Sequence, residues 1–329
     1  MTLEKPRFAV MGAGGVGGYF GGRLAAAGAD VAFIARGAHL AAMRERGLAI
    51  LSPLGDATVH PVTASDDPAA LGPADFVLFT VKIYDTEAAA RAIAPLVGPE
   101  TAVVPFQNGV DARERLSPFI APERLMGGVA YIPSVIERPG VIRHGDTVAR
   151  LAIGEFDGAV SPRAEALRAA FRRAGVDCDI TGDIEAALWA KFVTLAALSA
   201  VTCLTRLAVG PIRDEPATLA LLADAMREVE AVARARGVAL AADVVDRALD
   251  FINRAAPGFK TSMLHDLERG NRLEVEGLSG AVVRLGDETG IDTPVHRTAL
   301  AALMPYAGGR APGGGPQSRA PDFKLIQSV

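Results

Sequence analysis

The chain has 329 residues, half of them apolar, and its 34 Lys and Arg against 38 Asp and Glu give a formal net charge of -4. That length is room for two domains of about 150 residues each, and the acidic balance argues against nucleic acid as a partner because no basic field is available to hold a phosphate backbone. Two cysteines, Cys178 and Cys203, are too few for a disulfide framework or a Cys-based zinc site and fit a reducing, cytoplasmic setting.

At the N-terminus, Glu4, Lys5 and Arg7 precede only Phe8 to Met11 before a glycine cluster, so no signal-peptide apolar region is expected. From Arg7 to about Ile180, β-rich runs alternate with helical stretches, the pattern of a parallel sheet covered by helices. The expected strands are Phe8–Met11, Val31–Ala35, Phe76–Val81 and Ala102–Phe106, with extended segments near Gly128–Ile132 and Ala149–Ile153. The first four are nearly continuous apolar runs, as strands buried on both faces should be. From Ile184 onward helical patterns follow one another: Ile184–Arg206, Pro216–Arg236, Ala242–Ala255, Ser262–Arg269, Leu273–Thr289 and Val295–Met304, with breakers such as Gly210-Pro211 between them. The uncharged run Phe192–Leu204 is shorter than the roughly 20 residues of a membrane-spanning helix and is expected to be buried in protein. The reading is an α/β Rossmann-type domain over 1–182, an all-α substrate domain over 183–305 and a Gly/Pro-rich mobile tail over 306–329.

Gly12-Ala13-Gly14-Gly15-Val16-Gly17 fits G-x-G-x-x-G between a strand and a helix. Gly12 permits the tight turn, Gly14 lets backbone approach a pyrophosphate, Gly17 allows close helix packing, and the helix N-terminus offers N–H groups to the phosphates. After the second strand stands Arg36, where an NAD-preferring protein places Asp or Glu. A guanidinium there can pair with a 2′-phosphate, so the expected cofactor is NADP(H); Asp30 lies at the wrong end of the strand to compete. Lys82 and Asn108 follow the third and fourth runs, where ligands bind in open parallel sheets, although Asn108-Gly109 alone could be turn chemistry. Lys191 stands on a largely apolar helix face, where a lysine needs a partner or a role. Helical steps from Glu274 reach Gly277, Leu278, Ala281, Val282 and Leu285, so its carboxylate should meet a cation or polar ligand, whereas Glu276 should be solvated. Ser262, with Thr261, precedes a helix and could be only a cap. The histidines 39, 60, 144, 265 and 296 lack ligand spacing, so no metal site is expected.

Together, the glycine loop with Arg36, Lys82, Gln107-Asn108-Gly109, Glu185-x-x-Leu188-Trp189-x-Lys191 and Ser262-Met263-Leu264-x-Asp266-x-x-x-Gly270-x-x-x-Glu274 resemble the ketopantoate reductase (2-dehydropantoate 2-reductase) family over residues 7 to 304. The resemblance implies NADPH-dependent reduction of a 2-oxo acid, 2-dehydropantoate to pantoate on the way to pantothenate. It makes Lys191 the catalytic lysine and Glu274 the active-site glutamate near the nicotinamide ribose and the substrate hydroxyl. Asn108 and Ser262 become substrate-side hydrogen-bonding residues, with Asn108 also near the cofactor, and Arg36 and Lys82 contact the adenine-end phosphate. Pantoate-forming members commonly carry asparagines where this chain has Leu195, Ser199 and Val209. A 2-oxo acid without the extra hydroxyl is therefore an alternative substrate, since a site built around such a bond discriminates strongly. A non-catalytic NADP(H)-binding sensor is the alternative of another class, disfavoured by the retained Lys191 and Glu274. The apolar helices of the second domain could supply a homodimer interface, and neither nucleic acid nor membrane is an expected partner.

Overall fold

The computed structural model describes residues 5–309 and divides between Lys191 and Phe192 into two compact units. Of the tail expected over 306–329, residues 310–329 lie outside the described residues; Tyr306 instead closes a 3-10 turn (Met304–Tyr306), and the Ala307 carbonyl accepts from Leu273 N.

The first unit opens with β1 (Arg7–Met11), α1 (Gly15–Ala26), β2 (Asp30–Ile34) and α2 (Gly37–Arg46), then the short strands β3 (Leu48–Leu51), β4 (Ala57–Val59) and β5 (Thr63–Ser65). It continues through β6 (Ala74–Phe79), α3 (Thr86–Ala92), β7 (Val97–Pro105) and α4 (Ala112–Leu116) to β8 (Gly127–Tyr131), β9 (Ser134–Arg138), β10 (Val141–His144), β11 (Arg150–Gly154), α5 (Pro162–Arg173) and β12 (Asp177–Ile180). Five strands form an all-parallel sheet in the order β5-β2-β1-β6-β7. Alternate side chains enter two separate cores: Phe8, Val10, Phe33, Phe76 and Leu78 on one face, Ala9, Met11, Ile34, Val77 and Phe79 on the other. Burial on both faces is why these strands read as continuous apolar runs. The strand order reverses between β1 and β6, the point at which such sheets bind ligands beyond their carboxyl ends.

The single parallel sheet expected from the sequence is one of three. The second, β4-β3-β10-β9, joins a parallel β3–β10 pair to antiparallel neighbours, and the third, β12-β11-β8, pairs β11 antiparallel with β8. The strands missed by sequence are mostly short, polar or exposed: β9, for example, is an edge strand with Val135 and Ile136 open to solvent.

Helix α6 (Ile184–Thr205) begins in the first unit and runs on into the second. Its 22 residues, with mean hydropathy 1.7 in the most apolar window, suffice to cross a membrane by length and composition, and 61% of that window is buried inside the protein. The second unit continues with α7 (Val209–Asp214), α8 (Pro216–Ala235), α9 (Val244–Arg254), α10 (Ser262–Arg269), α11 (Ser279–Thr289) and α12 (Pro294–Leu303). Two expectations fail here. Gly210-Pro211, read as a break, lies inside α7, because proline is tolerated in a first turn where its missing N–H has no intrahelical partner. The expected helix Leu273–Thr289 begins only at Ser279; Leu273 and Glu274 are irregular and Val275–Leu278 form a turn.

Three helices of this unit meet in a buried polar knot. Glu228 on α8 accepts from the Val295 and His296 N–H groups at the start of α12, at 2.7 and 3.0 Å. His296 Nε2 faces the Ala225 carbonyl at 3.1 Å, so that nitrogen carries the proton and Nδ1 accepts from the Ser279 hydroxyl at 3.2 Å. Burial pushes the His296 pKa down to about 4 from its ordinary 6.5. As pH falls below 6.5 the unfolded chain therefore gains a proton that the folded chain refuses, and stability is lost progressively down to pH 4. This one group is expected to remove about 3 kcal/mol across that window and nothing above it. Urea unfolding followed against pH should show a shallower acid decline in His296→Gln than in the wild type; equal slopes would contradict the assignment.

Candidate functional site

The turn from β1 into α1 is held by Ile34, whose carbonyl accepts from both Gly12 N (3.2 Å) and Ala13 N (3.1 Å). Thr80, just past β6, donates its hydroxyl to the Gly12 carbonyl at 2.7 Å. Gly12 has φ +101, and a Cβ there would lie 2.9 Å from Val81 N; at Gly17 it would collide with the Gly12 carbonyl and the Thr80 hydroxyl. Gly14, at the N-cap, has open space where its Cβ would be. No side chain caps α1 by a hydrogen bond and its first turn carries no acid, so no capping group or carboxylate of α1 competes for its N–H groups and positive dipole end. Gly15 is packed against the Ser134 carbonyl, and the Ser134 hydroxyl is buried without a hydrogen-bond partner among the described residues. An open cradle of N–H groups beside an unsatisfied hydroxyl fits a dinucleotide pyrophosphate.

Arg36 is exposed at the N-cap of α2, two residues beyond β2, while Asp30 at the other end of that strand pairs with Arg7 at 3.5 Å. Lys82 starts a 3-10 turn, Ile83–Asp85, whose Ile83 carbonyl accepts from Arg115; Arg115 also grips Glu87 through two bonds of 2.7 and 2.9 Å, which hold the Glu87 carboxyl below its usual range. The glycine loop, Arg36, Lys82 and Asn108 thus all follow carboxyl ends of the parallel sheet.

Gln107 joins two of these loops. It is buried, and its amide donates to the Val81 carbonyl and the Thr86 hydroxyl, both at 2.9 Å, so the residues preceding Lys82 and Asn108 are pinned together. Asn108 in turn meets Lys191 of α6, whose ammonium donates to Asn108 Oδ1 at 3.1 Å and to the Ala130 carbonyl on β8 at 2.8 Å. An ammonium can only donate, so the asparagine must present its oxygen. The ring centre of Tyr131 lies 5.9 Å from the same nitrogen, within reach of a cation–π attraction.

Glu274 and Ser262 belong to the second unit. Glu274 is 4% exposed as expected, but not as part of a helix face: its carbonyl accepts from Gly277 N and Leu278 N in the turn before α11. Glu276 is exposed, as expected. The cap of α10 is Thr261, whose hydroxyl accepts from Leu264 N at 3.2 Å and meets Thr202 at 3.0 Å; Ser262 is the exposed first helical residue. Leu195 is half-buried and Ser199 and Val209 fully buried, with the Ser199 hydroxyl lacking a partner. Among the described residues no group of three or more His, Cys, Asp or Glu could hold a metal ion. Thr80, Tyr131, Ser134 and the supporting role of Gln107 escaped sequence reasoning; the motif containing Gln107 was its one visible signal.

These features define a dinucleotide-binding domain followed by a helical one, with a lysine held at the sheet's carboxyl edge. Residues 8–158 match the family model described as ketopantoate reductase PanE/ApbA, and residues 183–307 match that of its C-terminal part. The chain belongs to the ketopantoate reductase family and is an oxidoreductase of that kind. Among relatives, a "2-dehydropantoate 2-reductase" of Archaeoglobus fulgidus is 35% identical over 91% of this chain and 97% of its own. An "uncharacterized oxidoreductase YkpB" of Bacillus subtilis is 30% identical over 91% and 98%. The crystal structure of 2-dehydropantoate 2-reductase from Geobacter metallireducens GS-15 superposes with a TM-score of 0.85 at 33% identity, covering 91% of this chain and 99% of the other.

The two contrasted glycines supply a test. Gly17→Ala should lose about 2–3 kcal/mol of stability through overpacking, whereas Gly14→Ala should melt like the wild type yet bind dinucleotide at least about tenfold more weakly because its methyl enters the cradle. Unchanged affinity in Gly14→Ala, read by calorimetry, would show that no phosphate approaches there.

Proposed function

We propose that the protein reduces a 2-oxo acid to the 2-hydroxy acid with NADPH, and that Lys191 supplies the proton. The observation that carries this reading is the Lys191 ammonium, held by Asn108 and the Ala130 carbonyl in the unit that contains the glycine loop. The glycine loop and α1 N-terminus would hold the pyrophosphate, with Arg36 and Lys82 on the 2′-phosphate. Bound nicotinamide supplies the hydride. Lys191 hydrogen-bonds the ketone oxygen, stabilises the negative charge that develops there and passes it a proton as the carbon–oxygen double bond becomes an alcohol. The balance is one 2-oxo acid, one NADPH and one proton giving the hydroxy acid and NADP+. Asn108 would orient Lys191 and substrate together, and Ser262 and Glu274 are assigned substrate and ribose contacts by their match to the family motif.

The first candidate substrate is 2-dehydropantoate, as the names of the relatives suggest. Leu195 and Val209 favour a second reading on the same chemistry, a 2-oxo acid lacking the extra hydroxyl, because an apolar side chain leaves that hydroxyl without its partner.

Lys191→Ala is expected to lower kcat by about 10²–10⁴ while leaving dinucleotide affinity nearly intact; near-normal turnover would remove Lys191 from this role. Arg36→Gln should weaken NADPH by about 10- to 100-fold, as loss of a charge-assisted contact does, and barely change NADH. Equal losses for the two dinucleotides would take Arg36 off the 2′-phosphate.

A further inference from the structure

His39 lies in the first turn of α2, three residues after Arg36, and is partly buried between two segments that the reaction itself does not explain. Its Nδ1 accepts a hydrogen bond from Gly140 N at 3.1 Å. Gly140 forms the turn between β9 and β10 with φ +82, and its carbonyl accepts from Ala49 N at 2.9 Å. That hairpin begins with Ser134, whose carbonyl is packed on Gly15 of the glycine loop. His39 therefore fastens one end of a hairpin whose other end rests on the loop.

Since Nδ1 accepts, the proton of the neutral ring sits on Nε2. Burial lowers the His39 pKa and keeps the ring neutral at pH 7 and above, against the opposing pull of the backbone of Ala13, a residue of the glycine loop. Nε2 is inaccessible to solvent and makes no geometrically complete hydrogen bond among the described residues, while the Ala13 backbone lies close enough to draw on its proton. A buried N–H donor left unsatisfied is costly, and the Ala13 backbone beside it offers a carbonyl acceptor.

We infer that His39 is a positioning residue for the dinucleotide, its Nε2–H drawn to the Ala13 carbonyl of the glycine loop and its Nδ1 anchoring the hairpin at Gly140. The inference rests on the NADP(H) reading above and names a residue outside the motif by which that reading was made. Because it acts through the loop rather than through Arg36, it affects NADPH and NADH alike.

Two substitutions separate the functions of the two nitrogens. His39→Asn keeps an acceptor near the Nδ1 position and loses the reach to Ala13; His39→Gln extends a donor to the Nε2 position and sacrifices the bond from Gly140. Melting temperature and calorimetric Kd for NADPH and for NADH are measured on both variants and the wild type. The expected pattern is crossed: His39→Asn melts near the wild type but binds both dinucleotides about five- to tenfold more weakly, while His39→Gln melts lower yet binds nearly as the wild type does. Dinucleotide affinity that simply follows melting temperature through the series would overturn the inference and leave His39 a structural residue. So would a loss confined to NADPH, which would assign the effect to Arg36. Failure of the wild type to bind either dinucleotide would sink the cofactor reading itself, a distinct result from either of these.

Discussion

A lysine ammonium in a partly buried place is unstable without oxygen atoms around it, because leaving water costs several kcal/mol that only well-placed acceptors offset. Much of the first unit can be understood as the placement of two such oxygens. Ala130 is fixed by pairing with Leu151 across the β8–β11 ladder. Asn108 is fixed because the Gln107 amide is tied to the β6 loop and Phe106 N donates to the Phe79 carbonyl. The start of β8 is tied back to β7 by Met126 N on the Val103 carbonyl, so the two oxygens belong to one framework. Asn108 Oδ1 and the Ala130 carbonyl are neutral, and a neutral acceptor holds an ammonium without taking its proton. Such a group remains able to donate to a developing alkoxide.

The same economy of backbone governs the loop between β1 and α1. Gly12 and Gly17 are required by contacts internal to the protein, with Val81, Thr80 and each other, whereas no atom of the described residues lies within 4 Å of where a Gly14 Cβ would be. A glycine whose missing methyl faces open space is explained by a ligand better than by packing. Ser134, packed on Gly15, and His39, drawn to the Ala13 backbone, both border this loop, and the Ser134 hydroxyl is buried without a hydrogen-bond partner among the described residues, uncommon enough to require a reason.

The parallel sheet was legible because its strands are buried on both faces, so their apolar runs needed no periodicity to be seen. The second sheet was not, because β4 is three residues long and β9 is largely exposed, which removes the apolar signal; β5, a three-residue edge strand of the parallel sheet, escaped for the same reason, while β8 and β11 of the third sheet showed only as extended segments. Lys191 was visible as a charge on an apolar helix face and Asn108 by its place after a strand's carboxyl end, and the structure brings them together. Glu274 shows the opposite failure: its burial was read from a helical spacing that does not exist there, and the side chain is covered through a turn instead. Gln107, Ser134 and His39 act through hydrogen bonds to segments 26, 119 or 101 residues away or through packing on the loop, separations that no local pattern encodes.

The central claim, that the Lys191 site and the glycine loop serve hydride transfer to a 2-oxo acid, is tested most directly by following the label. The wild-type protein is given NADPH deuterated at the transferring C4 position with 2-dehydropantoate and, separately, with 2-oxo acids lacking its hydroxyl, and the products are examined by mass spectrometry. One deuterium is expected at C2 of a 2-hydroxy acid from at least one of these substrates. Tight NADPH binding with no labelled hydroxy acid from any of them would contradict it and leave a dinucleotide-binding protein without this turnover.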